Sequence, residues 1–241
     1  MKIIETPWEI ENLGKKSVEI IIEGLDSISE IEKIFEMNNF EYIVVKTSYK
    51  NSVSLQILQH NGFQFIETQI SLILNIKDAV LGESKYFAEN FGFEKINTKD
   101  ELNNILSNIT EGTFSTDRIA RDPVFGLDIA NRRYKNWIRN SFGKSNIEVF
   151  SITERGINAG FLMTGSSDAD EIDLLIGGIY AKYQGSGYGY NFVYQPVKYY
   201  ISQGKTRIRT KVSSNNLNVI KLYLSLGYKI ENMDYVLIKH Q

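Results

Sequence analysis

"YQGSGYGYN", Tyr183 to Asn191, sets glycines at Gly185, Gly187 and Gly189 directly after the apolar run "LLIGGIY" and ahead of the helix-patterned "YNFVYQPVKYYIS". Glycine loses more backbone entropy on folding than any other residue, so such a cluster implies a backbone that turns sharply or is approached closely. Strand, glycine turn and helix in succession offer free backbone N–H groups to an anion at the helix N-terminus. Two readers of that geometry fail here. A P-loop needs Gly-Lys-Ser/Thr, and Gly189 is followed by Tyr190. A dinucleotide fingerprint counted from Gly185 would put its third glycine at Tyr190, and it also wants an acid about 20 residues on, where only basic and neutral residues stand.

Outward from the turn, charge is unevenly spread. From Tyr190 to Ile230 there is no Asp or Glu, while Lys198, Lys205, Arg207, Arg209, Lys211, Lys221 and Lys229 fall in that stretch. In a chain of net charge −2 this suggests an anionic ligand, or else solvated faces, since Lys205, Arg207, Arg209 and Lys211 share one side of a strand by their period of two. The net charge gives no reason to expect nucleic acid. The chain has no cysteine, which excludes disulfides, thiolate metal sites and a cysteine nucleophile and points to the cytoplasm. Only His60 and His240 are present, so a multi-histidine metal site is excluded and no metal is expected. Both histidines read as structural or solvent-facing. No apolar run approaches the ~18 residues of a membrane span, and "MKIIETPWEIE" has acids where a signal peptide has its apolar centre.

The first part of the chain alternates strands and helices. "SVEIII" (Ser17–Ile22), "EYIVVKT" (Glu41–Thr47) and "ISLILNI" read as strands, and "ISEIEKIFEM" (Ile28–Met37) and "SVSLQILQHNGF" as helices. After about Asp78 the order begins again. "FGFEKI" is a strand, and Thr98 with Glu101 forms a capping box before a helix. A longer helix "LDIANRRYKNWIRNSF" follows, then the strands "IEVFSI", "NAGFLMT" and "EIDLLIGGIY". The glycine turn comes next, with a helix containing Pro196, the strand "TRIRTKV", a helix from Asn216 and closing strands near Ile230 and Tyr235–Lys239. "NSVSLQILQHNGFQFIETQISLIL" and "NNLNVIKLYLSLGYKIENMDYVLIK" share one plan, and Asn51 precedes Gly62 by the interval that separates Asn216 from Gly227. Leu58 stands where the second copy has Tyr223.

Gln184-Gly185-Ser186-Gly187-Tyr188-Gly189 satisfies Gln/Arg-x-x-Gly-x-Gly/Ala, and Asn216, Tyr223 and Leu226-Gly227-Tyr228 follow in order and spacing. On these residues the chain resembles the GCN5-related N-acetyltransferase superfamily over roughly Gly92 to His240. "TPWEIENLGKKSVEI" and "RDPVFGLDIANRRYKNWIRNSF" look more narrowly like the TDP-fucosamine acetyltransferase group, which acetylates a TDP-linked 4-amino-4,6-dideoxy sugar. The resemblance implies an α+β (mixed α/β) fold with a mixed sheet flanked by helices. It divides the chain into a smaller degenerate copy of that fold, residues 1–80, and a catalytic domain, residues 81–241. Acetyl-CoA is the implied co-substrate, an amino sugar nucleotide the partner, and a homodimer the assembly.

The resemblance also implies roles. Gly178, Ile179 and Ala181 would hold the acetyl carbonyl and pantetheine, and Gln184 to Gly189 the pyrophosphate. Asn216 would meet the coenzyme arm, although an N-cap accounts for it as well. Tyr223 is the expected general acid, a phenol with a pKa of about 10 that keeps its proton at neutral pH. For the base, Glu171 and Asp173 share one strand face, and a solvated edge explains them equally. Arg118, Arg121, Arg132, Arg133 and Tyr134 lie where the superfamily builds its acceptor wall, with Asp173 as a further substrate contact. The alternatives are a different amine acceptor, or a coenzyme-binding module without turnover.

Overall fold

A computed structural model describes residues 1–23, 28–82, 90–110, 112–166 and 168–241. Among them, ten strands share one sheet: β1 Lys2–Glu5, β2 Ser17–Ile22, β3 Tyr42–Ser48, β4 Gln64–Asn75, β5 Phe91–Lys95, β6 Ile147–Glu154, β7 Ile157–Gly165, β8 Glu171–Ile179, β9 Arg207–Ser213 and β10 Lys229–His240. The helices are α1 Glu9–Leu13, α2 Ile28–Glu32, α3 Ser52–His60, α4 Lys99–Asn108, α5 Arg118–Arg121, α6 Gly126–Ser141, α7 Gly189–Ser202 and α8 Leu217–Ser225. No helix among the described residues is long and apolar enough to cross a membrane.

Local chemistry sets the helix boundaries. Thr98 and Glu101 form the capping box that opens α4. Asn51 accepts from the Ser54 amide and Asn216 from the Val219 amide, which caps α3 and α8 in matching conformations. Gly62 and Gly227 then turn the chain at φ 83 and 95. The helix expected over Ile28–Met37 is α2 followed by a 3-10 turn, Lys33–Glu36. The two closing strands are a single strand, β10, with register shifts at Ile230/Asn232 and Val236/Leu237. Such irregularities break the alternation on which sequence pattern depends.

The strand order is β1-β2-β3-β10-β4-β9-β8-β7-β6-β5. The pairs β2–β3 and β8–β9 are parallel, while β3–β10, β10–β4 and β4–β9 are antiparallel. From the β10–β4 pair outward, the two sides repeat the same pattern, which is the spatial form of the internal echo. Each copy's closing strand lies in the other copy's half, for β4 pairs with β9 and β10 with β3. A cut near residue 80 therefore divides the chain but not the sheet.

Helices cover both faces. Leu162 joins the cluster of Val193, Val197, Tyr200, Ile208 and Ile220 under α7 and α8. Its neighbours Phe161 and Met163 join Ile105 and Ile138 under α4 and α6. Consecutive strand residues point to opposite faces, so the helix layers sandwich the sheet. His60 Nδ1 donates to the Gln56 carbonyl on the surface, and His240 pairs with buried Asp122 at 2.9 Å beside Tyr42 and Phe125.

Candidate active site

The parallel ladder between β8 and β9 runs from Glu171↔Arg207 to Leu174↔Thr210 and stops, although both strands continue. Arg207 and Arg209 hold the closed end by pairing with Glu171, with Arg209 Nη1 3.1 Å from Oε2. Beyond Leu174 the register of β8 on β7 shifts, leaving Leu175 as an extra residue, a bulge that re-aims the strand. The strands then diverge into a V whose open arms are the end of β8 and Lys211 to Ser213 of β9. In the first copy, β2 and β3 pair over the whole of β2, from Ser17↔Tyr42 to Ile22↔Thr47, and no V opens.

The two glycines of β8 have separate duties. A Cβ on Gly177 would sit 2.6 Å from the Phe161 carbonyl oxygen and 3.0 Å from the Phe192 ring, so this glycine permits close packing. A Cβ on Gly178 would meet only Thr113, on the cleft side. In the glycine turn, Gly185 and Gly187 hold φ of 80 and 82 in open space, whereas Gly189 lets α7 approach Leu222 of α8. The Gln184 side chain braces the turn by donating to the Ile179 carbonyl at 3.2 Å. Helix α7 starts at Gly189 without a side-chain cap hydrogen bond, and this start lines the cleft, so the positive end of its dipole meets it.

A cleft of about 1000 Å³ runs from this turn through the V and across the sheet face. Gly178, Ile179, Gln184, Gly185, Gly187, Tyr188, Gly189, Asn216, Tyr223, Tyr134 and Asp173 all line it. Ala181 and Ser186 do not. Ala181 starts a 3-10 turn, and the Ser186 amide donates to the Tyr183 carbonyl. Arg121 and Arg132 are exposed and outside the cleft, Arg132 because its Nη2 donates to the Asn12 carbonyl at 2.8 Å. Glu171 is likewise outside, engaged by its two arginines. Several of the other basic residues are engaged elsewhere: Lys229 pairs with Asp78, and Lys205 donates to the Ala169 carbonyl.

Tyr223 is buried at the apex of the V. Its hydroxyl meets that of Thr210, and Thr210 Oγ1 donates to the Leu174 carbonyl at 3.1 Å, on the last rung before the strands part. Desolvation pushes this phenol up to about 12, partly offset by the Thr210 hydrogen bond, so it stays protonated at neutral pH.

The remaining walls escape sequence reasoning. Glu67, Gln69 and Ser71 of β4, Lys46 of β3 and Glu19 of β2 form a polar floor, brought there by the strand exchange. Arg118, Arg133, Tyr134, Phe114 and Trp137 form the roof. Lys46 pairs with Glu19 at 2.8 Å, and Arg133 Nε donates to Glu9 at 2.8 Å. Tyr134 donates to Asp117 and packs at a tilt against Phe114, ring centroids 4.4 Å apart. Glu67 is only 4% exposed, and burial raises its carboxyl above the ordinary value despite a hydrogen bond with Ser213. Glu67 Oε2, Gln69 Oε1 and Arg118 Nε are buried without a hydrogen-bond partner. Each such atom costs about 1–3 kcal/mol, a cost relieved when a ligand supplies the missing partner. The one available signal was the period of two shared by Glu67, Gln69 and Ser71, a pattern that a solvated face also produces.

A GCN5-related N-acetyltransferase from Sphaerobacter thermophilus superposes on the chain with a TM-score of 0.66 at 8% identity, covering 99% of this chain and 75% of that one. The fold is that of the GCN5-related N-acetyltransferases. The same fold appears in a fungal multi-domain GH3 beta-N-acetylglucosaminidase described as having a GCN5-related glucosamine N-acetyltransferase region. That match has a TM-score of 0.63 and 11% identity, covering 99% of this chain and 31% of the fungal one. In sequence, the spore coat polysaccharide biosynthesis protein SpsD of Bacillus subtilis (strain 168) is 20% identical over 236 residues, 95% of this chain and 79% of SpsD. No family model matches. Within this fold, the segments 6–20 and 121–142 pack on each other: Glu9 of α1 holds Arg133 of α6, and Asn136 donates to Asn12 at 3.0 Å.

Proposed function

We propose that the protein transfers the acetyl group of acetyl-CoA to the amine of a nucleotide-linked amino sugar, of the 4-amino-4,6-dideoxyhexose type, for surface polysaccharide assembly. The observation that carries the transfer is the V between β8 and β9, with Tyr223 at its apex and the uncapped start of α7 at its mouth. Past Leu174, β8 has no ladder partner on the β9 side, which suits an amide-bearing pantetheine arm. The turn from Gln184 to Gly189 suits the pyrophosphate. Tyr223 would protonate the departing thiolate, and positioned proton transfer of this kind is worth roughly 10² to 10⁴ in rate. The polar floor and roof suit a hydrophilic acceptor.

SpsD's name and the glucosamine region of the fungal protein favour a sugar acceptor. The TDP-fucosamine resemblance favours TDP-4-amino-4,6-dideoxygalactose. A thiol-release assay with acetyl-CoA tests this against that sugar nucleotide, spermidine and a lysine peptide. Turnover of the sugar nucleotide is expected. Turnover of spermidine or the peptide alone removes the sugar assignment. Bound acetyl-CoA with no thiol release from any amine would make this a coenzyme-binding module.

A further inference from the structure

We propose that the exchanged strand β4 supplies the subsite for the acceptor's ammonium group, Glu67 taking its proton and Gln69 holding the nitrogen. This rests on the acetyl-transfer reading. Glu67 and Gln69 are two apart on one strand, so their side chains leave the same face, and both line the cleft. Each carries a buried acceptor oxygen with no donor. Two adjacent acceptors match a group with three N–H donors.

The protein's own cations do not fill that need. Lys46 donates to Glu19, and Arg118 lies 3.8 Å from the same carboxylate. The location suits the reaction. Gln69 opposes Ser213, the last residue of the open β9 arm, and Ser213 hydrogen-bonds Glu67. The subsite thus adjoins the V that would carry the thioester.

In the step proposed, Glu67 removes one proton from R–NH3+, and the nitrogen lone pair forms the C–N bond as C–S breaks. Tyr223 gives its proton to sulfur, and the second nitrogen proton replaces it. The products are amide and thiol, with one proton left on Glu67 for release to water.

The groups facing Glu67 are Ser213 and Lys211 of β9, Lys46 of β3, Glu19 of β2, Asp234 of β10, and Arg118 with Asp117 from the roof. Burial raises the Glu67 carboxyl, so its basic form develops only as pH rises through that raised value. The acid limb of kcat/KM for the amine belongs to this group.

The test measures thiol release with acetyl-CoA and TDP-4-amino-4,6-dideoxygalactose against pH for wild type, Glu67→Gln and Gln69→Leu. Glu67→Gln should lose about 100-fold or more in kcat/KM at pH 7, by the usual worth of positioned proton transfer. Its acid limb should vanish and its rate recover once the amine is neutral in solution. Gln69→Leu should raise KM for the amine several-fold and keep the limb. The Tm of substrate-free Glu67→Gln should equal or exceed that of wild type, because a buried carboxylate with one unpartnered oxygen is gone. A wild-type pH profile in Glu67→Gln, or a collapse of its Tm together with an unchanged KM in Gln69→Leu, overturns the assignment while acetyl transfer stands. No thiol release by wild type with this sugar nucleotide, glucosamine 1-phosphate or spermidine overturns the transfer reading and the subsite with it.

Discussion

Tyr223 carries the proton step of the proposed transfer. Its environment suits a donor that keeps its proton. With its pKa pushed up to about 12 by burial, the phenol stays neutral through the physiological range. The sign for stability follows. The ordinary phenol value is about 10, and the folded value is higher. The contribution of the neutral phenol is therefore full below about pH 10 and is lost as pH rises through about 12. Tyr223→Phe should lower kcat by roughly 10² to 10⁴ while the KM for acetyl-CoA holds. The pH profile should keep its shape up to pH 10, which steady-state thiol release would show. Tyr223 was legible because a tyrosine at a fixed interval from Asn216 on one helix is a local pattern. The proposed base was not, since Glu171 and Glu67 are both strand carboxylates and only the fold pairs one with Arg207 and Arg209 and sets the other in the cleft lining.

At the scale of elements, the same strand-helix-strand unit was used twice with different outcomes. Leu58 and Tyr223 occupy corresponding places, but β2 stays fully paired with β3, whereas β8 leaves β9 after Leu174. Leu58→Tyr therefore should create no second acetyl-CoA site, as equilibrium binding stoichiometry would show. Gly185→Ala forces a left-handed residue and should cost roughly 1–2 kcal/mol, with a raised KM for acetyl-CoA because the turn amides move. Helix α1 is clamped to α6 by the Glu9–Arg133 pair, whose carboxylate side chain is 6% exposed. Glu9→Ala strands that guanidinium and should destabilise the protein by about 3–5 kcal/mol, read as a lowered Tm. Roof residues Arg133 and Tyr134 would lose their position with it, so kcat/KM for the acceptor should fall as well.

For the whole molecule, the exchange of β4 and β10 makes the two copies mutually dependent. Residues 81–241 expressed alone would lack β4, leaving edges of β9 and β10 unpaired where native ladders run. Such a fragment should aggregate or lack near-ultraviolet circular dichroism, and the intact chain should unfold in a single cooperative transition. Two separate transitions in calorimetry would contradict the shared sheet. The first copy thus retains a role although it holds no V of its own: β2, β3 and β4 supply the polar floor of the cleft.

The amino-acid sequence by itself determined the caps, the glycine turn, the spacing of Asn216, Tyr223 and Gly227, and hence the family of folds. Each of these depends on residues near one another in the chain, whose backbone conformations follow from local sterics and hydrogen bonding. Tertiary structure alone decided which strands pair, that β4 crosses into the second half, and that Glu67 and Gln69 face a ligand-sized cleft instead of water. Ladder partners far apart in sequence are selected by the burial of the whole sheet, and an alternating polar strand face looks the same whether it meets solvent or a substrate.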